Sequence, residues 1–515
     1  MKNYIISIIC IAIPFFSTCS KSKNSETEPN NTFINANPIE LNREYWGYLD
    51  SENDIDYYVL NNTQDQILKI ELSGIKGINH AINIYINDNS KSHLIKTIDD
   101  NRKSAPEIFS NLYVQPGQYY FCITHGDRDI KKGNNETPYK FIITSRALLD
   151  EEKEPNDTPH TATDITGKKS IRGFYSPSRN SMNTEQKNKM HETDWYKFNI
   201  ETITGKPSLV DINISGVYGV DTVLSVYNSN LEEITTTDNT GTGEGESIPD
   251  LGIKESGTYY ILVCSKNFQF NHDNPYELKI NIKEFDPLSE LEPNNSFDKI
   301  NTIPYNKING RINYSSDVDY YQHIPADKNR YYKIKCSAGN GIDPVINIYD
   351  FNRNKILSIN NAGPGQMETI PCLLIRQSII ISISSISLSS DESNYTLEIE
   401  ESEIHTAIEN EPNNSKTNAN LFDKNISGFI NYKNDTDYYV IKTDERKKIK
   451  FTVKGVKSGK IKVSITDPLG FIIKSKEIES DNEITFTDTV DKKGYIIVEP
   501  VNANFEYPYT ISIED

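Results

Sequence analysis

Four six-residue strings in this sequence concentrate side-chain oxygens: Glu26-Thr27-Glu28-Pro29-Asn30-Asn31, Glu152-Lys153-Glu154-Pro155-Asn156-Asp157, Glu290-Leu291-Glu292-Pro293-Asn294-Asn295 and Glu409-Asn410-Glu411-Pro412-Asn413-Asn414. Each supplies two Glu carboxylates followed by an Asn-Asn or Asn-Asp pair. Ca2+ takes six to eight hard oxygen ligands at about 2.3–2.6 Å and mixes carboxylates, amides and carbonyls readily. In an extended segment the two Glu side chains share a face, and Pro restricts the backbone between them and the Asn pair. Further on, each copy has an Asp before two aromatics: Asp56-Tyr57-Tyr58, Asp194-Trp195-Tyr196, Asp319-Tyr320-Tyr321 and Asp437-Tyr438-Tyr439. These Asp residues would complete a shell. Asp54, Asp317 and Asp435 stand two residues earlier, where copy 2 has Glu192. The expectation is calcium, up to one ion per copy, with copy 2 and its extra Asp157 binding as well as any. The competing reading is a turn whose Asn side chains cap backbone groups, with no ion.

The hexamers also mark out the architecture. A Gly follows the second Glu of each by 17–19 residues: Gly47, Gly173, Gly310 and Gly428. After the Asp-aromatic landmark comes a strictly alternating segment: Leu68-Ile70-Leu72, Val210-Ile212-Ile214, Tyr332-Ile334-Cys336 or Ile449-Phe451-Val453. Period two means a strand with one buried and one wet face. A Gly-x-Tyr-Tyr strand follows at Gly117 and Gly257, shrinks to Gly494-Tyr495 in copy 4, and is unrecognisable in copy 3. There the run around Ile379–Ser390 alternates and reads as a strand. Every copy closes on a Tyr-led strand, at Tyr139, Tyr276, Tyr395 and Tyr509. Short strands split by Gly, Pro, Asn and Asp turns are what a two-sheet sandwich needs.

The fold class is therefore all-β, a tandem array of four jelly-roll-like β-sandwich domains, at residues 26–145, 152–282, 290–400 and 409–515. Polar linkers lie between them at Arg146–Glu151, Lys283–Ser289 and Glu401–Ile408. Copy 2 carries a polar insertion at Ser176–Met190, expected to be an exposed loop. Each hexamer lies where linker meets sandwich, so a bound ion would fix the one against the other and stiffen the row. Trp46 and Trp195 occupy repeat positions and are expected to pack in cores rather than form a binding platform.

These landmarks, in this order, resemble the bacterial pre-peptidase C-terminal domain, across nearly all of the chain after residue 25. The resemblance implies compact jelly-roll-like sandwiches of the kind appended to secreted proteases. Similar domains in the collagen-binding branch of clostridial collagenases bind calcium and attach to substrate. It implies ligands at Glu26, Glu28, Asn30, Asn31 and Asp56, and at Glu152, Glu154, Asn156, Asp157 and Asp194. In copies 3 and 4 it implies Glu290, Glu292, Asn294, Asn295 and Asp319, and Glu409, Glu411, Asn413, Asn414 and Asp437. It adds the closing-strand tyrosines Tyr139, Tyr276, Tyr395 and Tyr509. No protease domain precedes the repeats, which departs from the usual arrangement.

Residues 1–19 read as an address. Lys2, the apolar run Ile5–Phe16 and Ser17-Thr18-Cys19 resemble a bacterial lipoprotein signal, with Cys19 acylated, residues 20–25 a tether, and cleavage as an ordinary secreted protein the alternative. The apolar run is too short to span a bilayer. Of the other cysteines, Cys336 follows the inward alternation and reads as a buried thiol, with a Cys336–Cys372 bridge as the alternative.

A net charge of -19, from 54 Lys and Arg against 73 Asp and Glu, argues against nucleic acid or anionic lipid bound through a basic face. Membrane contact is expected through the lipid anchor only. No HExxH, GxSxG or phosphate-cradling loop occurs; His191-Glu192 lacks a second His, and Gly241-Thr242-Gly243-Glu244-Gly245 lacks the Lys. The expected function is a non-catalytic cell-envelope lipoprotein, a binding or adhesion array facing the periplasm or cell surface. Its partner would be an extracellular protein or polysaccharide. A structural spacer, or an accessory subunit targeting a separate protease or glycosidase, are the alternatives.

Overall fold

A computed structural model describes residues 24–88, 91–126, 131–176, 193–203, 205–266, 269–326, 330–388, 393–402, 407–502 and 504–514. The signal-like segment, Cys19, Glu192 and all but the first residue of the copy 2 insertion lie outside the described residues. Packing divides the chain into two compact units. The first comprises Met1–Asn199, Ile214–Glu246 and Thr258–Lys279; the second comprises Ile200–Asn213, Ser247–Gly257 and Ile280–Asp515.

Copy 1, in the first unit, shows the plan. Its strands are β1 (Asn24–Ser25), β2 (Asn37–Pro38), β3 (Glu44–Leu49), β4 (Asp56–Asn62), β5 (Gln66–Leu72), β6 (His80–Asp88), β7 (Lys91–Ile98), β8 (Glu107–Val114), β9 (Gly117–His125) and β10 (Asn134–Arg146). They form two sheets, ordered β1-β3-β10-β5-β8 and β2-β4-β9-β6-β7. The alternating residues Leu68, Ile70 and Leu72 are fully buried, and they pack with Ile82, Ile84, Phe109, Phe121 and Phe141 between the sheets. The first unit also holds a five-stranded sheet of copy 2 and the antiparallel pair Ser170–Tyr175 with Asn271–Lys283.

The second unit contains the pair Ser208–Ile214 with Ser247–Ile253, and copies 3 and 4. Both repeat the strand order of copy 1, except that their first sheet has four strands. The strand Ile379–Leu388 pairs with Val318–His323 and Ile342–Tyr349, which is the place β9 holds in copy 1. The Ser/Ile run therefore does the work of the missing Gly-x-Tyr-Tyr strand. Copies 3 and 4 have their own cores, around Ile334, Ile346 and Ile383 and around Phe451, Val463 and Val498.

One expectation is corrected, and one alternative falls to the reading it stood beside, the buried Cys336 thiol. Trp46 and Trp195 are not core residues. On β3 the alternation turns Tyr45 and Gly47 inward and leaves Trp46 half-buried on the outer face, under the Lys140 ammonium 4.5 Å from its ring. Trp195 is likewise half-buried, packed on Tyr227 and Tyr260 with centroids 5.2 and 6.4 Å away. In both cases the neighbour in sequence takes the inward position. The bridge between Cys336 and Cys372 is not formed; both are buried free thiols.

Phe451, fully buried at the centre of the copy 4 core, tests this packing. Phe451→Ala should destabilise that copy by about 3–5 kcal/mol. Native-state hydrogen exchange should show faster exchange in strands Lys447–Lys454 and Lys460–Thr466, with the copy 1 strands unchanged.

Candidate metal centre

Each hexamer is tied by backbone hydrogen bonds to two strands of its own copy. The first Glu donates its N–H to the carbonyl of the residue before the landmark Gly: Glu26 to Trp46 (2.9 Å), Glu152 to Arg172 (2.8 Å), Glu290 to Asn309 (3.0 Å) and Glu409 to Ser427 (2.9 Å). The carbonyl of the first Asn accepts the N–H that follows the landmark Asp, from Tyr57, Trp195, Tyr320 and Tyr438, at 3.0 Å in every copy. All four Glu–Pro bonds are cis.

This clasp gathers one constellation four times. Carboxylate oxygens of Glu26, Glu28 and Asp56 lie within 4.8 Å of one another, as do those of Glu152, Glu154 and Asp194. Glu290, Glu292 and Asp319, and Glu409, Glu411 and Asp437, do the same. The closing-strand tyrosine completes each group: Tyr139, Tyr276, Tyr395 and Tyr509 donate to Oδ2 of the landmark Asp, at 2.6 Å each time. The second Glu accepts the first Asn's N–H on Oε2, at 2.8–2.9 Å. In copies 2 to 4 the first Asn's amide nitrogen also faces Oε2 of the first Glu, at 3.4, 3.1 and 2.9 Å.

The same two oxygens remain unmatched in every copy, joined in copy 2 by Glu154 Oε1. Oδ1 of Asn30, Asn156, Asn294 and Asn413 and Oδ1 of Asp56, Asp194, Asp319 and Asp437 are buried with no hydrogen-bond partner. The four Asn residues have no exposed surface at all. A buried polar atom left unpaired costs about 1–3 kcal/mol, and here the same pair recurs in every copy. In copies 2 to 4 these unmatched atoms are acceptors only, which is what an oxygen-seeking cation requires; in copy 1 the Asn30 amide nitrogen is unpartnered as well. Ligands on opposite sides of a Ca2+ ion stand at most about 4.6–5.2 Å apart, and carboxylate oxygens that all lie within 4.8 Å of one another could share one ion.

The electrostatics agree. Burial, and then the Glu26 carboxylate, push Asp56 up to about 9. Burial and Glu154 push Glu152 up to about 8. Asp194, Asp319 and Asp437 are raised well above the usual carboxylate range by burial and then by the first Glu of their hexamer. Burial and mutual repulsion thus favour the protonated form of these groups when no cation is present. Glu154, raised to about 7 by burial, is pulled down in turn by Lys96.

The structure thus brings together the two Glu, the first Asn, the landmark Asp and the closing Tyr. The second position of the Asn pair is turned elsewhere. Asn31 is exposed, and Asp157 pairs with Lys96 at 3.2 Å. Asn295 donates to the Tyr314 hydroxyl and to Asp317 Oδ1 (2.7 and 3.0 Å), and Asn414 is hydrogen-bonded to the Tyr432 hydroxyl (2.7 Å). Nor does the first Asn cap the backbone through its side chain, as a simple turn would have it. Asp54, Asp317 and Asp435 accept backbone N–H groups of Asp50, Asn313 and Asn431 and brace the loop beside the centre.

Sequence reasoning missed one residue in each copy, the second aromatic of the landmark. Tyr58, Tyr196, Tyr321 and Tyr439 lie hydroxyl to hydroxyl with the closing Tyr at 2.5–2.8 Å, and they donate to the first Glu. The signal was there in the alternation: only the second aromatic faces inward. The landmark Gly is explained as well. Gly47, Gly173, Gly310 and Gly428 stand directly opposite the closing Tyr in the ladder. A Cβ there would come within 2.4 Å of that ring or hydroxyl.

Two expected outcomes follow from this geometry. Because the folded, cation-free protein holds protons that the unfolded chain gives up above the ordinary carboxylate range, its stability should be greatest near pH 4–5. It should fall as pH rises toward 9. Thermal melts in chelator should show that decline, and calcium should oppose it increasingly with pH. Separately, Gly428→Ala should displace Tyr509 and abolish cation-dependent stabilisation of copy 4, read as loss of the calcium-induced shift in its unfolding.

No protein-family model matches the sequence, and no curated protein does. Among solved structures, the chain is similar to the pre-peptidase C-terminal domain of a collagenase from Bacillus anthracis, at 20% identity over 21% of this chain and 94% of that one, TM-score 0.17. It is similar to the PBSX exported protein XepA, at 9% identity over 47% of this chain and 89% of that one, TM-score 0.17. A further likeness is to an archaeal virus turret protein with a triple jelly-roll fold, at 13% identity over 62% of this chain and 80% of that one, TM-score 0.18.

Proposed function

We propose that this chain is a non-catalytic, calcium-stabilised array of four pre-peptidase C-terminal-like domains. It is held at the bacterial cell envelope through an acylated Cys19 and binds an extracellular protein or polysaccharide. The observation that carries the calcium part is the fourfold repetition of one cage with the same two buried, unpartnered oxygens. A single such cluster would be an accident of packing; four in register with the repeat are a property of the fold. Glu26, Asn30, Asp56 and Tyr139 and their counterparts would hold the ion, whose charge would replace the protons on three buried carboxylates.

The binding role draws support from the outer faces. In copy 1 Phe33 packs on Tyr57, Tyr85 and Tyr120, with centroids 4.6–5.3 Å apart, as a half-buried aromatic cluster. In copy 3 Phe297 does the same with Tyr320 and Tyr349. Rings with one face packed and one edge accessible suit polymer chains.

Calorimetric titration of residues 20–515 with calcium should show saturable binding of up to four ions. Each of Asp56→Asn, Asp194→Asn, Asp319→Asn and Asp437→Asn should remove about one. Binding that is absent, or undiminished by these substitutions, would overturn the reading.

A further inference from the structure

The strand that flanks each following hexamer carries the same irregularity. In copy 1, β8 runs beside β5 with Leu112 opposite Leu68 and Phe109 opposite Ile70, so Ser110 and Asn111 together face one residue. The strand Ser247–Ile253 has the same bulge, with Leu251 opposite Val210 and Ile248 opposite Ile212. So has Glu368–Ile375, with Leu373 opposite Tyr332 and Ile370 opposite Ile334. These three strands precede a hexamer. The fourth counterpart, Glu483–Val490, pairs with Lys447–Lys454 in unbroken register. A bulge on an edge strand re-aims one side chain.

The first two bulges lie beside the hexamers that follow them. Asn111, fully buried, donates its amide to Glu152 Oε1. Asp250, whose carboxylate pairs with Lys283 at 2.7 Å, lines with Glu290, Gly310 and Tyr395 a cavity of about 550 Å3 beside the third centre. At the third junction the hydroxyl of Tyr331, which stands opposite Leu374 of the bulged strand, donates to the carbonyl of Ile408, the residue before the hexamer, at 3.1 Å. Backbone pairing accompanies this at the first two junctions. Leu112 forms a parallel bridge with Glu154, and the Tyr113 N–H donates to the Glu154 carbonyl at 3.0 Å. Leu251 bridges Glu292 in the same sense, with Gly252 N–H on the Glu292 carbonyl at 2.8 Å and Glu292 N–H on the Asp250 carbonyl at 3.0 Å. Lys96 adds an ion pair to Asp157 at 3.2 Å, and Lys153 lies over the Tyr113 ring at 4.6 Å. The effect on burial is plain. Glu28, in the hexamer that no described copy precedes, is exposed, whereas Glu154 is 1% exposed.

We propose that each bulged edge strand is the docking element for the next copy's cation centre, so that filling a centre and seating the preceding copy on it form one linked equilibrium. This rests on the cation reading above. Asn111 and Lys96 are positioning residues for the second centre: Asn111 fixes the Glu152 carboxylate so that Oε2 turns to the cage, and Lys96 holds Asp157 out of it. The hexamer backbone that must be ordered to bind an ion is ordered by the neighbour's strand. By linkage, whatever docking adds to ion affinity the ion adds to docking. The array would then be joined by its ions, one junction at a time.

Hydrogen exchange of residues 20–515, in calcium and in chelator, reads both halves of the equilibrium. Calcium should slow exchange in the hexamers and, beyond what each copy gains from its own ion, in 107–114, 247–253 and 368–375, an extra slowing that 483–490 lacks. Asp194→Asn should abolish the extra slowing in 107–114 and leave that in 247–253 and 368–375. Asn111→Ala, which leaves the cage ligands intact, should weaken calcium at the second centre about fivefold or more and release the Tyr113 amide. Slowing of the hexamers without the extra slowing of 107–114, or an undiminished response of 107–114 in Asp194→Asn, would overturn the coupling alone. No slowing anywhere would overturn the cation reading and the coupling with it.

Discussion

Three carboxylates and a pair of buried tyrosine hydroxyls are gathered in every copy, all three carboxylates buried in copies 2 to 4 and the Asp alone in copy 1, and the rest of the architecture is arranged around tolerating them. Burying one charge is expensive, and burying several of one sign is more so. The protein meets part of this cost with donors. The closing Tyr donates a hydrogen bond to the landmark Asp, the inward landmark Tyr donates one to the first Glu, and backbone N–H groups donate to Oε2 of the second Glu and Oε1 of the first. What remains in every copy is at least two acceptors with nothing to accept from. A divalent cation would answer that remainder in a way no protein group in the cage does.

The same constraint explains why the landmarks are so far apart in sequence and yet recur together. Glu152 and Tyr276 are 124 residues apart and touch through a hydrogen bond of 3.2 Å. The Gly is needed because the closing Tyr crosses the ladder at that point, leaving no room for a Cβ. Tyrosine is needed twice because each hydroxyl has a different carboxylate to serve. Strand alternation then decides which aromatic turns inward, and so leaves Trp195 outside as part of a surface cluster.

The copies are alike within the cage and differ around it. Copy 2 has Asp157 where the others have Asn, but Lys96 of the preceding copy neutralises it, so its greater hexamer charge is not a greater charge at the centre. At the bulges, an amide, a carboxylate and a thiol stand in equivalent places. A repeat protein built in this way keeps its chemistry constant where the ion would sit. It varies the chemistry where neighbours meet.

Much of this was legible in the sequence, because period-two alternation and a repeated hexamer are local signals that folding cannot rearrange. The all-β class, the inward faces of strands such as Leu68-Ile70-Leu72, and the grouping of Glu, Asn, Asp and closing Tyr all follow from spacing or from resemblance. What spacing could not decide is which of two adjacent side chains points into a cage, since one residue of register exchanges the faces. That is why Asn31 and its counterparts looked equivalent to Asn30, and why Trp46 and Trp195 looked like core. The bulges, the Lys96–Asp157 pair and the Asn111 amide on Glu152 belong to contacts between segments far apart in the chain. Only the folded structure determines them, because they depend on where one sheet's edge meets the next copy's first turn.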